Sequence, residues 1–141
     1  SSMCPAVRSK SGLMKMMTAA KKGCVVNQFV KTGDTLIDRL KAAAGMADGY
    51  DPHNDRDSVQ AIFNILWALG YNVQLAYHTY RAEMEYTAEE AAARYGGRFA
   101  MHTFMADGKS LRFEEFIAQL AAGDKIPVRN ETVLSTIFWD V

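Results

Sequence analysis

Cysteine is nearly absent from this chain. Cys4 and Cys24 are the only two in 141 residues, too few and too oddly placed for a disulfide framework or a zinc knuckle. Reduced thiols and a cytoplasmic location are the expectation. Long apolar runs are missing as well. No stretch approaches the about 18 residues that a membrane span needs, so no membrane partner is expected. The N-terminus is basic, with Arg8, Lys10 and Lys15, but lacks the apolar segment and cleavage site of a signal peptide. Ser1-Ser2 ahead of Met3 reads as an expression scar. Without a secretory signal, the sequon Asn130-Glu131-Thr132 reads as a chance match. Catalytic motifs are lacking too: no nucleophile elbow, phosphate loop, HExxH or Rossmann glycine pattern occurs. These absences count against an enzyme, and no cofactor is expected.

A net charge of one sign is also lacking, but the zero total hides an asymmetry. Residues 1–41 carry eight basic and two acidic side chains, and residues 42–141 carry eight basic and fourteen acidic ones. A basic arm on an acidic body can dock on that body, on a second copy or on nucleic acid. The basic residues of 8–41 are spread out, with no interleaved aromatics to stack on bases. A nucleic-acid-binding regulator is therefore the last of three functional readings.

An apolar fraction of 49% and a charged fraction of 23% are those of an ordinary globular chain long enough for a core. The organising stretch is Ser58–Tyr80. Val59, Ile62, Phe63, Leu66 and Leu69 have helical spacing, Asp57 stands at the N-cap with Gln60 three residues on, and Gly70 closes the helix. The period then falls to two, with Tyr71, Val73, Leu75 and Tyr77 on one side and Asn72, Gln74, Ala76 and His78 on the other.

Upstream, Ser9 or Ser11 starts a helix through Leu13, Met14, Met16 and Met17 that ends near Gly23. Its methionines suit a plain core or an adaptable partner groove. Cys24–Val30 fits a strand or a buried helical turn. Asp34 or Thr35 caps a helix with Leu36, Ile37 and Leu40. The loop 47–57 places Asp51, His53 and Asp55 at alternate positions, the nearest approach to a metal loop, but it lacks the glycine and glutamate of a calcium hand. No metal site is expected there.

Downstream, Thr87 with Glu90 is a second capping box, and Gly96-Gly97 ends a short helix over 88–95. Ala82, Met84 and Tyr86 alternate ahead of it, although 80–95 also fits one continuous helix. Alternation over 98–105 predicts a strand, Asp107-Gly108 a type I′ hairpin and 109–113 its partner. A helix follows over 113–122. Two strands, 125–128 and 133–139, are then separated by a turn at Arg129-Asn130-Glu131.

One echo stands out. Leu75–Tyr80 and Phe99–Phe104 share the pattern apolar-Ala-apolar-His-Thr-aromatic. If both are strands of one sheet, His78 and His102 lie on corresponding faces. Two imidazoles so placed can bind a metal or share acid–base work, although half-exposed strand histidines bonded to neighbouring threonines explain them as well.

The fragment Ser58–Leu75 (SVQAIFNILWALGYNVQL) resembles the closing helix and strand of antitoxin-type helix-turn-helix regulators. The likeness covers under a fifth of the chain. Where a turn and recognition helix belong, this sequence has the polar, proline-containing loop 47–57. The resemblance therefore implies no functional residues.

The expected fold is α+β: a helical N-terminal third, then an antiparallel or mixed sheet of about four to five strands with helices on one face. Residues 3–141 form one domain, with a basic helical arm, 3–46, packed on an acidic body, 57–141. The leading functional expectation is a non-enzymatic binding protein that meets a protein partner or itself. Its surface is the sheet face carrying His78, Tyr80, His102 and Phe104, with Tyr77 alongside, or the Met-rich first helix. The alternative is a small enzyme or ligand-binding protein with a pocket around His78 and His102.

Overall fold

The computed structural model describes residues 7, 9–47, 49, 51 and 53–141; Cys4, Arg8 and Pro52 lie outside them. The described elements are α1 (Lys10–Ala19), β1 (Gly23–Asp34), α2 (Thr35–Ala43), α3 (Arg56–Ala68), β2 (Gln74–Tyr86), α4 (Ala88–Phe99), β3 (Phe104–Ala106), β4 (Lys109–Leu111), α5 (Phe113–Ala121) and β5 (Ile126–Asp140). The α+β class is thus as expected. The strands form a three-stranded antiparallel sheet in the order β1-β5-β2 and a separate hairpin, β3-β4. No helix among the described residues is long and apolar enough to cross a membrane.

Two parts of the expected architecture are corrected. The N-terminal third is not all helical, because β1 occupies twelve of its residues. Val25, Val26, Phe29, Val30 and Thr32 are β-branched or aromatic, and side chains of this kind pack well on a pleated surface. Among the described residues the main sheet has three strands rather than four or five. Most of 98–105 is helix end and turn, and 126–140 is one strand.

The chain divides into two compact units. One gathers residues 1–32, 50–80 and 132–141, the other 33–49 and 81–131. In the first, Ser9 caps α1 by accepting from Gly12 N at 3.0 Å, and Leu13 and Met17 turn inward. The N-cap of α3 is Asp55, not Asp57; it accepts from Ser58 N at 3.0 Å and Ser58 Oγ at 2.6 Å. Two carboxylates two residues apart both suited the cap, and the one that also reaches the Ser58 hydroxyl takes it. Gly70 ends α3 at φ +87°, a left-handed conformation that glycine adopts without strain. Leu13, Met17, Val59, Ile62 and Leu66 pack against Cys24, Val26, Ile137 and Trp139 to form this unit's core. Burial pushes the Cys24 thiol above its ordinary range.

The second unit is built on caps that the sequence announces. Asp34 Oδ1 accepts from Leu36 N and Ile37 N at 2.9 and 3.1 Å, starting α2. Thr87 Oγ1 accepts from Glu90 N at 3.2 Å, while Glu90 Oε2 accepts from Thr87 N at 2.8 Å. Replacing Thr87 by alanine removes half of this box and is expected to lower stability by about 1 kcal/mol, read as a shift in the urea midpoint. Gly96-Gly97 does not end α4, which runs on to Phe99. Burial of Phe99, fully enclosed, outweighs the roughly 1 kcal/mol that each helical glycine costs. Asp107 and Gly108 take φ 49° and 72°, the type I′ geometry expected of them, and pair Phe104 with Leu111 and Ala106 with Lys109.

The core of this unit unites Leu36, Leu40, Tyr95, Phe99, Phe104, Phe113, Phe116 and Ile117. Residues 129–131 are strand instead of the expected turn. Arg129 pairs with Glu83 at 3.0 Å and Glu131 with Arg81 at 2.8 Å, so neighbouring strands match this polar run charge for charge.

Tyr95 donates its hydroxyl to Asp34 Oδ2 at 2.8 Å. Burial first, then the bond and charge of Asp34, raise its pKa far above the phenol range. Tyr95 and Cys24 therefore keep their protons in the folded chain at pH values where the unfolded chain releases them, above the ordinary 10.0 and 9.0. Their stabilising contribution is complete below those values and is lost as pH rises through and beyond them. Urea midpoints measured between about pH 8 and pH 11 are expected to fall on the alkaline side, and less steeply in Tyr95→Phe.

Candidate functional site: an open sheet face

In the first unit, alternation sorts β1 and β5 into two faces. Cys24, Val26 and Gln28 on β1, with Ser135, Ile137 and Trp139 on β5, are buried on the inward side. Both helices of this unit, α1 and α3, contribute to that core. The other face carries Val25, Asn27, Phe29 and Lys31 from β1 and Thr132, Leu134, Thr136 and Phe138 from β5. The two strands are held in register by Thr136 Oγ1 donating to Asn27 Oδ1 at 2.8 Å, by Ser135 Oγ donating to Gln28 O at 3.2 Å, and by Val141 N donating to Lys22 O at 2.9 Å. This register sets Val25 opposite Phe138 and Phe29 opposite Leu134. On β2, Leu75 packs into the core, so the alternating positions Gln74, Ala76, His78 and Tyr80 lie on the outward side, all exposed.

Along β1 and β5 the outward face therefore carries four apolar side chains, Val25, Phe29, Leu134 and Phe138, among four polar ones. Val25 is 41% exposed and Tyr80 59%; Phe29, Leu134 and Phe138 are half-buried. Asn27 and Thr136 form a polar pair across its middle, and Lys31 and Thr132 lie opposite one another at its end. His53 borders it, its ring 5.0 Å from that of Phe29 at 66°. The loop that brings His53 there is pinned to β1, with Thr32 N donating to Asn54 Oδ1 at 2.9 Å and Thr32 Oγ1 to His53 O at 3.3 Å. Asp51 accepts from His53 N at 2.9 Å and from Asn54 Nδ2 at 2.7 Å, and its Oδ1 lies 3.4 Å from His53 Nδ1. The alternating Asp51, His53 and Asp55 thus have turn and capping roles. Among the described residues no three His, Cys, Asp or Glu side chains gather as a metal site would need.

The residues singled out in the sequence part company. His78 and Tyr80 share the outward face, and Tyr77 lies on the opposite side of β2. His102 and Phe104 belong to the second unit. His102 follows α4 in a turn, its N donating to Phe99 O at 3.0 Å and its ring 6.3 Å from that of Phe99. Phe104 is fully buried. The echo is one of letters only: its first copy is strand, and its second is the end of a helix, a turn and the first residue of β3.

Basic residues 10–41 are distributed over α1, the turn to β1, β1 and α2. Met17 of α1 is buried in the core while Met14 is 38% exposed.

Val25, Phe29, Leu134 and Phe138 were not legible as a surface. Their signal is that Cys24–Val30 and Val133–Trp139 are apolar at both parities, the pattern of strands covered on both faces. No protein-family model matches the chain, and neither does any curated protein or solved structure compared with it.

Proposed function

We propose that this chain is a non-enzymatic binding protein that associates with a second copy of itself through the outward face of the first unit's sheet. The observation that carries the reading is the double-sided apolar character of β1 and β5, with Val25, Phe29, Leu134 and Phe138 on the side away from that unit's core. Apolar side chains left partly accessible on the side away from a core mark interaction sites. The charges favour a second copy. The outward row begins at Lys31 on one end and finishes at Asp140 on the other, both exposed. Two copies stacked face to face in opposite directions bring each lysine towards the other's aspartate, the self-complementarity a two-fold interface requires. Tyr80 extends the patch onto β2 with a side chain of a kind enriched at interfaces.

The test is the solution mass measured by sedimentation over a wide range of concentration. A mass that approaches twice that of the chain supports the reading. A monomer at every concentration excludes self-association through this face.

A further inference from the structure

We propose that the opposite, inward side of the first unit holds a binding site for a small amphiphilic carboxylate. A groove of about 380 Å³ there is lined by Val30, Lys31, Arg56, Tyr77 and Val133. That size falls within the range of pockets that take small molecules. Val30 and Val133 supply apolar walls, and Tyr77, 52% exposed, a phenol at the mouth. Arg56 is the first residue of α3 and is exposed, and its guanidinium makes no ion pair among the described residues. A planar guanidinium is matched to a carboxylate.

A second observation is independent of the groove. Gln28 is 1% exposed, yet neither Nε2 nor Oε1 has a hydrogen-bond partner among the described residues. Buried amides are otherwise nearly always paired, because leaving one unpaired costs its full desolvation. Gln28 lies on the same face of β1 as Val30, two residues away. Its carbonyl accepts from Ser135 Oγ, and Ser135 is likewise two residues from Val133 on β5. The orphaned amide is thus one cross-strand row in from the two valines that wall the groove. A ligand that puts its carboxylate on Arg56 and Tyr77 and its body between the valines carries apolar surface towards that row, where a polar atom on it would satisfy Gln28.

Lys31, near the end of β1, borders both the groove and the outward row; Val30, Arg56, Tyr77 and Val133 take no part in the proposed contact between copies. Straight-chain hexanoate, octanoate and 8-hydroxyoctanoate, the last with a terminal hydroxyl for the Gln28 amide, are titrated calorimetrically into the full chain, with octanol as the uncharged control. Octanoate is expected to bind and octanol not. Arg56→Leu is expected to weaken octanoate binding by about ten- to a hundredfold, the loss of a charge-assisted contact. Gln28→Met keeps the shape and removes the amide, so it is expected to raise the melting temperature of the free protein. No binding by any of the three acids overturns the proposal, as does equal binding of octanol. A lower melting temperature in Gln28→Met shows the amide to be satisfied in the free protein, which removes the second observation and with it the proposal.

Discussion

Replacing Phe104 by alanine is expected to cost about 3–5 kcal/mol of stability, the range for a large aromatic removed from a closed core. Phe104 is fully buried. Its ring stacks on Phe116 at a centroid distance of 5.0 Å and 13° between planes, and meets Phe113 at 5.9 Å. Those two residues open α5, so the ring ties the short β3 strand to the helix that follows the hairpin. A loss of this size is a large part of the 5–15 kcal/mol that holds a typical domain together. Met105, the next residue on the strand, is 56% exposed, and Met105→Ala is expected to change stability by no more than about 0.5 kcal/mol. Urea denaturation of the two variants side by side decides the matter. Similar midpoints for both would mean that Phe104 does not occupy the core. The contrast is sharp because the sequence alone suggests the reverse. Alternation over 98–105 places Phe104 beside His102 on an accessible sheet face, where alanine would be nearly neutral.

That misplacement shows which signals in the sequence were reliable. Most legible features have a cause within four residues, although the cap of α3 falls on Asp55 and not on the expected Asp57. A cap at Ser9 or Ser11, a cap at Asp34 or Thr35, the reciprocal bonds of Thr87 and Glu90, and the Asp107-Gly108 turn are local chemistry; the structure shows the last two and selects Ser9 and Asp34 for the caps. The illegible features depend on partners far along the chain. Arg129-Asn130-Glu131 looks like a turn until Arg81 and Glu83, about fifty residues earlier, are seen to match its charges. Gly96-Gly97 looks like a helix stop because the burial of Phe99 that carries α4 onward is a tertiary effect. The echo of Phe99–Phe104 with Leu75–Tyr80 fails for the same reason: six residues of similar pattern fold as strand in one setting and as helix end in the other. For the candidate face, the outward position of His78 could be read from period two. The apolar residues beside it could not, because Val25 and Phe138 pass for core until Val26 and Trp139 are known to occupy the inward side.

Tyr80→Asp and Leu134→Asp are expected to convert the self-associated chain to monomer, each weakening association by at least about a hundredfold. The magnitude follows from the cost of enclosing an unpaired carboxylate, several kcal/mol, set against about 1.4 kcal/mol per tenfold change in affinity. In a two-fold interface every substitution also occurs twice. Tyr80 makes the cleaner variant. At 59% exposure it contributes little to its own fold, so Tyr80→Asp should leave the monomer's melting curve nearly unchanged while its mass halves. Leu134 is half-buried opposite Phe29, so its replacement lowers stability modestly as well as separating the copies. Met101→Asp, at a residue 97% exposed in the second unit, serves as the control for added charge and is expected to change neither mass nor melting. Sedimentation of the three variants against the unaltered chain tests the face itself. If all three keep the mass of the unaltered assembly, the copies meet elsewhere, and the apolar outward residues of β1 and β5 do not form the contact between them.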